Sequence, residues 1–302
     1  MKIYALMRNG QHFLGLEDDR GMADLSRAIA FYETVMEGCT RPPVEHIEEL
    51  MLEDRLTLDY LGEVMEAVER HGLRDALDAG GEYEVDPPVY PGKIIALGQN
   101  YLDHIREMNL AVPDEPVLFG KWPSCVIGHG GTILKPAWAG RMDYEAELAV
   151  IIGRDAWQVS AEQAMDHVAG YTCLNDVTAR DMQARHMAAS SPWMLSKNFE
   201  TAAPMGPCLL LRDVVPEPVT VTVQASVNGE LVQNGSTGDF IFDIPTVIAY
   251  ISRIMKLETG DVITTGTPMG VGPIEPGDVV DITCGGVGTL SNPVAALDPS
   301  DA

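Results

Sequence analysis

Glu145 and Glu147 stand two apart in Asp143-Tyr144-Glu145-Ala146-Glu147-Leu148, and the apolar run continues to Ile152. Alternation passing into a continuous apolar run reads as a strand entering a core, and residues two apart on a strand share a face. Asp176 ends a second short, partly apolar run, Val168 to Leu174, and can supply a third carboxylate. Three carboxylates in one place need a counter-charge, since desolvation and mutual repulsion would otherwise protonate at least one of them. An oxygen-only set suits a hard cation, Mg²⁺ or Mn²⁺, with Ca²⁺ able to substitute. No His or Cys adjoins them in the sequence, which argues against zinc. Glu-x-Glu by itself reads as a solvated face; the apolar run behind it is what argues for an interior strand.

Other residues could work with such a centre. His104 and Glu107 are three apart in a short helical stretch, Gln99 to Met108, that ends before Pro113. That spacing makes them neighbours on one helix face, where a carboxylate can orient an imidazole as a base. The same spacing also describes an ordinary surface pair. Arg180 and Gln183 follow Asp176 at i+4 and i+7, one face if the segment is helical. Arg180 then serves either in a salt bridge to Asp176 or Asp181, or as a planar fork for a carboxylate. Lys197 follows Trp193-Met194-Leu195-Ser196 and is expected to be partly desolvated, so it needs an anion nearby. Thr264 to Gly272 offers hydroxyls and glycine N–H groups at a turn, either a grip for a carboxylate or a bare turn. Gly128-His129-Gly130-Gly131 lacks the Gly-Lys-Ser/Thr ending of a phosphate loop and reads as a turn before a strand.

Three of these segments together resemble the signature of the fumarylacetoacetate hydrolase family. They are Asp143 to Leu148, Asn175-Asp176-Val177-Thr178-Ala179-Arg180-Asp181, and Trp193 to Lys197, with Thr265-Gly266-Thr267-Pro268-Met269-Gly270-Val271-Gly272-Pro273 further on. Order and spacing match, over about Lys93 to Val294. The resemblance implies a mixed β-sandwich or roll and a divalent metal on Glu145, Glu147 and Asp176. It implies a His104–Glu107 dyad on a segment that closes over the site, and substrate contacts from Arg180, Gln183 and Thr267. It also implies a homodimer. The family holds hydrolases, decarboxylases and isomerases on one site, so the fold does not choose among them. The expected reaction is hydrolysis of the C–C bond of a 2,4-dioxo acid, an acylpyruvate or fumarylpyruvate. Water is activated by His104–Glu107, and the pyruvate-type enolate is stabilised by the metal and Lys197. Decarboxylation of oxaloacetate, or isomerisation of an unsaturated 2-oxo diacid, passes through the same enolate.

The rest of the 302-residue chain frames this site. A formal charge of −25, from 45 acidic and 20 basic residues, repels nucleic acid and anionic membranes, so neither is an expected partner. An anionic 2-oxo acid must be met by local cations. No signal peptide or membrane span is evident, and five scattered cysteines without CxxC fit a reduced, cytoplasmic protein whose thiols are core residues. The expected fold class is α+β and β-rich, with a small N-terminal α/β domain at 1–85 and the catalytic domain at 86–302. The N-terminal part reads as a strand meander around Asn9-Gly10, a helix capped by Ser26, and a helix-rich stretch over 44–79. The proline-rich Tyr83 to Gly92 reads as the linker. Later, Val219 to Gln233 reads as a hairpin turning at Asn228-Gly229, and Asp243 as the cap of a helix with Pro245 in its first turn.

Overall fold

The computed structural model describes residues 1–107 and 111–297. Met108, the end of the helical stretch expected after Gln99, lies outside the described residues. The strand expected from the carboxylate motif is interrupted at Glu145: Met142–Tyr144 belongs to a small separate sheet, and Ala146–Ile152 is a strand buried along its whole length. The reason is a two-sided core. Leu148, Val150 and Ile152 face one hydrophobic cluster, and Ala149 and Ile151 face the other, so no position on the strand meets water.

Ala146–Ile152 lies inside an eleven-stranded mixed sheet. It pairs antiparallel with Val168–Asn175 on one side and Val262–Thr264 on the other, and Val262–Thr264 runs parallel to Ile94–Gly98. A five-stranded sheet built on the hairpin Thr222–Val227/Glu230–Ser236 contributes Val223, Ala225, Val280, Ile282 and Leu290 to the first cluster. Sheets sharing one apolar layer make this a sandwich. The hairpin turns at Asn228 (φ 52°) and Gly229 (φ 81°), both left-handed as a type I′ turn requires. The helix Ile244–Ile254 adds Val247, Ile248 and Ile251 to the same cluster. Asp243 caps it by accepting from the Thr246 amide at 2.9 Å, and Pro245 sits in its first turn. A small three-stranded sheet joins Thr178–Ala179, Met142–Tyr144 and Gly272–Pro273 beside the carboxylates.

The N-terminal meander extends the main sheet: Lys2–Arg8 pairs antiparallel with Ala203–Leu211. Residues from the helices Leu25–Val35, Ile47–Leu52 and Leu58–Arg70 pack in one cluster with Ala149, Ile151, Leu209 and Val262. Residues 1–85 therefore share both a sheet and a core with the strands that carry the carboxylates. Within the expected linker, Glu84–Val85 pairs with Leu6 and Met7. The first helix is capped by Asp24, which accepts from the Arg27 amide at 2.9 Å, and not by Ser26. Ser26 is buried in the helix, where its hydroxyl accepts from the Leu14 amide and donates to the Val44 carbonyl. His129 is structural: its Nδ1 accepts from the Ser291 amide at 3.2 Å. All five cysteines are free, and four of them are buried. Among the described residues no helix is long and apolar enough to cross a membrane.

Candidate active site

Sheet register brings the carboxylates together. Ala146 stands opposite Asn175, so Glu145 and Asp176 leave their strands side by side. The Asp176 amide donates to the Glu145 carbonyl at 2.9 Å, and the Glu145 amide donates to Asn175 Oδ1 at 3.0 Å. Glu145, Glu147 and Asp176 are all buried, each with an oxygen within 4.8 Å of the others'.

Two of the three are clamped by cations. Lys197, on the short turn Met194–Lys197, directs Nζ to Glu145 Oε2 at 2.8 Å and to Asp176 Oδ2 at 2.6 Å. Lys121 brings a second buried ammonium 2.8 Å from Asp176 Oδ1 and donates to the Lys197 carbonyl at 2.6 Å. Arg180 Nη2 lies 2.5 Å from Glu145 Oε1. Burial pushes the Glu145 carboxyl upward, but Lys197 and Arg180 outweigh it and hold the group well below the usual carboxylate range. The Lys197 ammonium is disfavoured by burial, yet Asp176 and Glu145 hold it above its ordinary value. Removing one partner from a buried set of this kind costs about 3–5 kcal/mol, because a bare charge stays behind.

Glu147 is different. Its oxygen accepts from the Gly266 amide at 2.9 Å, and among the described residues it has no ion-pair partner. Burial, then the neighbouring charges of Asp176 and Glu145, push its carboxyl up to about 8. Three oxygen donors converge and one of them lacks a counter-charge, a frustration that a divalent cation would relieve. The donor set fits Mg²⁺ or Mn²⁺.

The other expected residues surround the same cavity, about 60 Å³, which His104, Arg180, Gln183, Lys197 and Thr267 line together with the carboxylates. His104 and Glu107 lie on the helix Leu102–Glu107, with Nδ1 3.2 Å from Glu107 Oε2, and Glu107 also accepts from the Gly270 amide at 3.2 Å. An imidazole therefore does face the carboxylates, although none adjoins them in the sequence. Thr267 Oγ1 accepts from Gln233 Nε2 at 2.9 Å.

Several details differ from the sequence reading. The Arg180 salt bridges run to Asp143 and Glu145, not to Asp176 or Asp181. Asp176 precedes the helix Arg180–Ala188 and does not share its face; the sheet, not helical spacing, brings them together. Two of the three glycine amides of 264–272 are already engaged: Gly266 holds Glu147 and Gly270 holds Glu107. Lys121 and Asp143 were not singled out from the sequence. Lys121 carried the signal that marked Lys197, a lysine among apolar and aromatic residues (Leu118, Phe119, Trp122). Asp143 carried none beyond its place in the motif.

A mixed sandwich with three buried, converging carboxylates that could hold a divalent cation defines the class of site. The chain belongs to the fumarylacetoacetate hydrolase family: residues 93–295 match the fumarylacetoacetate (FAA) hydrolase C-terminal family. It is 44% identical over 225 residues to oxaloacetate tautomerase YisK of Bacillus subtilis, covering 70% of this chain and 73% of that one. The crystal structure of 5-carboxymethyl-2-hydroxymuconate delta-isomerase from Mycobacterium smegmatis matches 99% of this chain and 100% of its own, at 30% identity and a TM-score of 0.72. That of fumarylpyruvate hydrolase from Pseudomonas aeruginosa, in complex with Mn²⁺ and pyruvate, matches 72% of this chain and 94% of its own, at 31% identity and a TM-score of 0.66. These relatives are a tautomerase, an isomerase and a hydrolase.

Proposed function

We propose that the protein is a divalent-metal-dependent enzyme of 2-oxo acids that works through an enolate, and that its reaction is keto–enol tautomerisation of an oxaloacetate-type substrate. One observation carries the reading: Glu145, Glu147 and Asp176 converge in one cavity with Lys197 and with the His104–Glu107 pair. Glu145, Glu147 and Asp176 would hold Mg²⁺ or Mn²⁺, which when bound supplies Lewis-acid charge to the oxygens of a 2-oxo acid. Lys197 adds a fixed positive charge where the enolate oxygen develops, in a buried site where such charges count most. With Nδ1–H donating to Glu107, His104 keeps Nε2 basic and moves the proton on and off carbon. Gln183 and Thr267 position the substrate. The 44% identity to an oxaloacetate tautomerase supports this reaction over cleavage.

A second reading is hydrolysis of an acylpyruvate or fumarylpyruvate. It is favoured by the His104–Glu107 contact, which suits a base that activates water. The test is a Mn²⁺-dependent panel of oxaloacetate, acetylpyruvate and fumarylpyruvate, following enol absorbance and identifying products. Accelerated enol decay of oxaloacetate without C–C cleavage supports tautomerisation. Release of a carboxylic acid from an acylpyruvate supports the second reading. No Mn²⁺-dependent turnover of any of the three overturns both.

A further inference from the structure

We propose that Asp143 is a positioning residue of the metal site: by gripping Arg180 at Nε, it aims the same guanidinium at Glu145. The inference rests on the reading that Glu145 binds the metal. Asp143 is fully buried, lies outside the converging carboxylate set and does not line the cavity. A buried carboxylate is costly unless paired, and Asp143 is paired twice. Its Oδ2 lies 2.8 Å from Arg180 Nε, and its Oδ1 lies 2.7 Å from Arg141 Nε.

Three acceptors fix the Arg180 plane: Asp143 at Nε, Glu145 at Nη2 and Gln183 at Nη1, the last at 2.5 Å. A guanidinium is rigid, so anchoring Nε leaves Nη2 one direction to point. The backbone is tied too, because Thr178 pairs with Asp143 and the Arg180 amide donates to the Arg141 carbonyl at 2.8 Å. The result is an alternating ladder, Arg141–Asp143–Arg180–Glu145–Lys197–Asp176–Lys121, running from a half-exposed arginine to the buried centre. Two of the five Arg180 side-chain N–H groups are spent inside it and a third on Gln183, so its main work is to keep Glu145 aimed.

The experiment measures Mn²⁺ affinity and steady-state kinetics in D143N, R180K, the double variant and E145Q. D143N is expected to weaken Mn²⁺ binding about 10- to 100-fold, as loss of a residue supporting a ligand does. Its kcat should recover at saturating Mn²⁺ with KM for the 2-oxo acid nearly unchanged. The double variant should bind Mn²⁺ no more weakly than R180K, because the two residues act as a unit. Should D143N not fold, D143E carries the test, since it keeps the charge but displaces it from Arg180 Nε. Wild-type Mn²⁺ affinity in the folded variant, while E145Q has lost it, overturns the positioning role alone. Wild-type Mn²⁺ affinity in E145Q overturns the metal reading and this one with it.

Discussion

The Gly266 amide donates to Glu147 Oε2 at 2.9 Å, which gives the one unpaired carboxylate of the set a neutral partner and not a cation. Gly266 reaches it with φ at +87°, and a Cβ there would stand 3.1 Å from Asn100 Cβ. The position therefore requires glycine.

Because Glu147 is pushed up to about 8, metal binding below that pH must release its proton. Affinity for Mn²⁺ should rise with pH by up to about tenfold per unit and level off above about 8. Without metal the sign for folding is the opposite. The folded group binds its proton more tightly than the unfolded one, whose usual value is 4.5, so its stabilising contribution is full below 4.5 and is lost as pH rises through about 8. Calorimetry at pH 6.5 in buffers of different ionisation enthalpy should show about one proton released per Mn²⁺ bound. Release of none would remove Glu147 from the ligand set.

E145Q and D176N should each lose Mg²⁺ and Mn²⁺ binding and activity together while the chain still folds. Either change removes a converging oxygen charge, and in each variant Lys197 keeps one of its two carboxylates. Losses above about 100-fold in Kd are expected. Isothermal titration with circular dichroism of the same samples decides it; unchanged affinity in both would place the metal elsewhere.

H104A and K197M should fail differently. Removing the imidazole should lower turnover by the roughly 10²- to 10⁴-fold of a lost general acid–base while leaving Mn²⁺ affinity intact. K197M should also lose kcat. Its Mn²⁺ affinity should be kept or strengthened, because the ammonium shares Glu145 and Asp176 with the metal. Paired binding and kinetic titrations check both. Weaker Mn²⁺ binding in K197M would contradict the assignment of Lys197 to the enolate.

We propose that the chain acts as a homodimer. Leu195, on the turn that carries Lys197, is 60% exposed, and Trp138, packed edge-on against Phe199, is 52% exposed. Large exposed apolar side chains fit burial in an isologous interface. Light scattering at micromolar concentration should give twice the 32.7 kDa chain mass. A monomer mass would refute it.

Much of the site was legible because its signals are local. Glu-x-Glu ahead of an apolar run, His104 three residues before Glu107, and Asp243 with Pro245 each follow from the repeat of a strand or the turn of a helix, so neighbours in sequence are enough. Resemblance then supplied the sandwich, which pattern alone does not separate from other two-sheet folds. What only the tertiary structure decided are the partners of each charge. Register between Ala146–Ile152 and Val168–Asn175 sets Asp176 beside Glu145, and Lys121 arrives from a strand 55 positions before Asp176. The Arg180 fork turns to Asp143 and Glu145, far from it in sequence, in place of the nearby Asp176 and Asp181. The physical reason is that a buried charge takes whichever counter-charge the packed sheets bring within about 3 Å, and no sequence period encodes that choice.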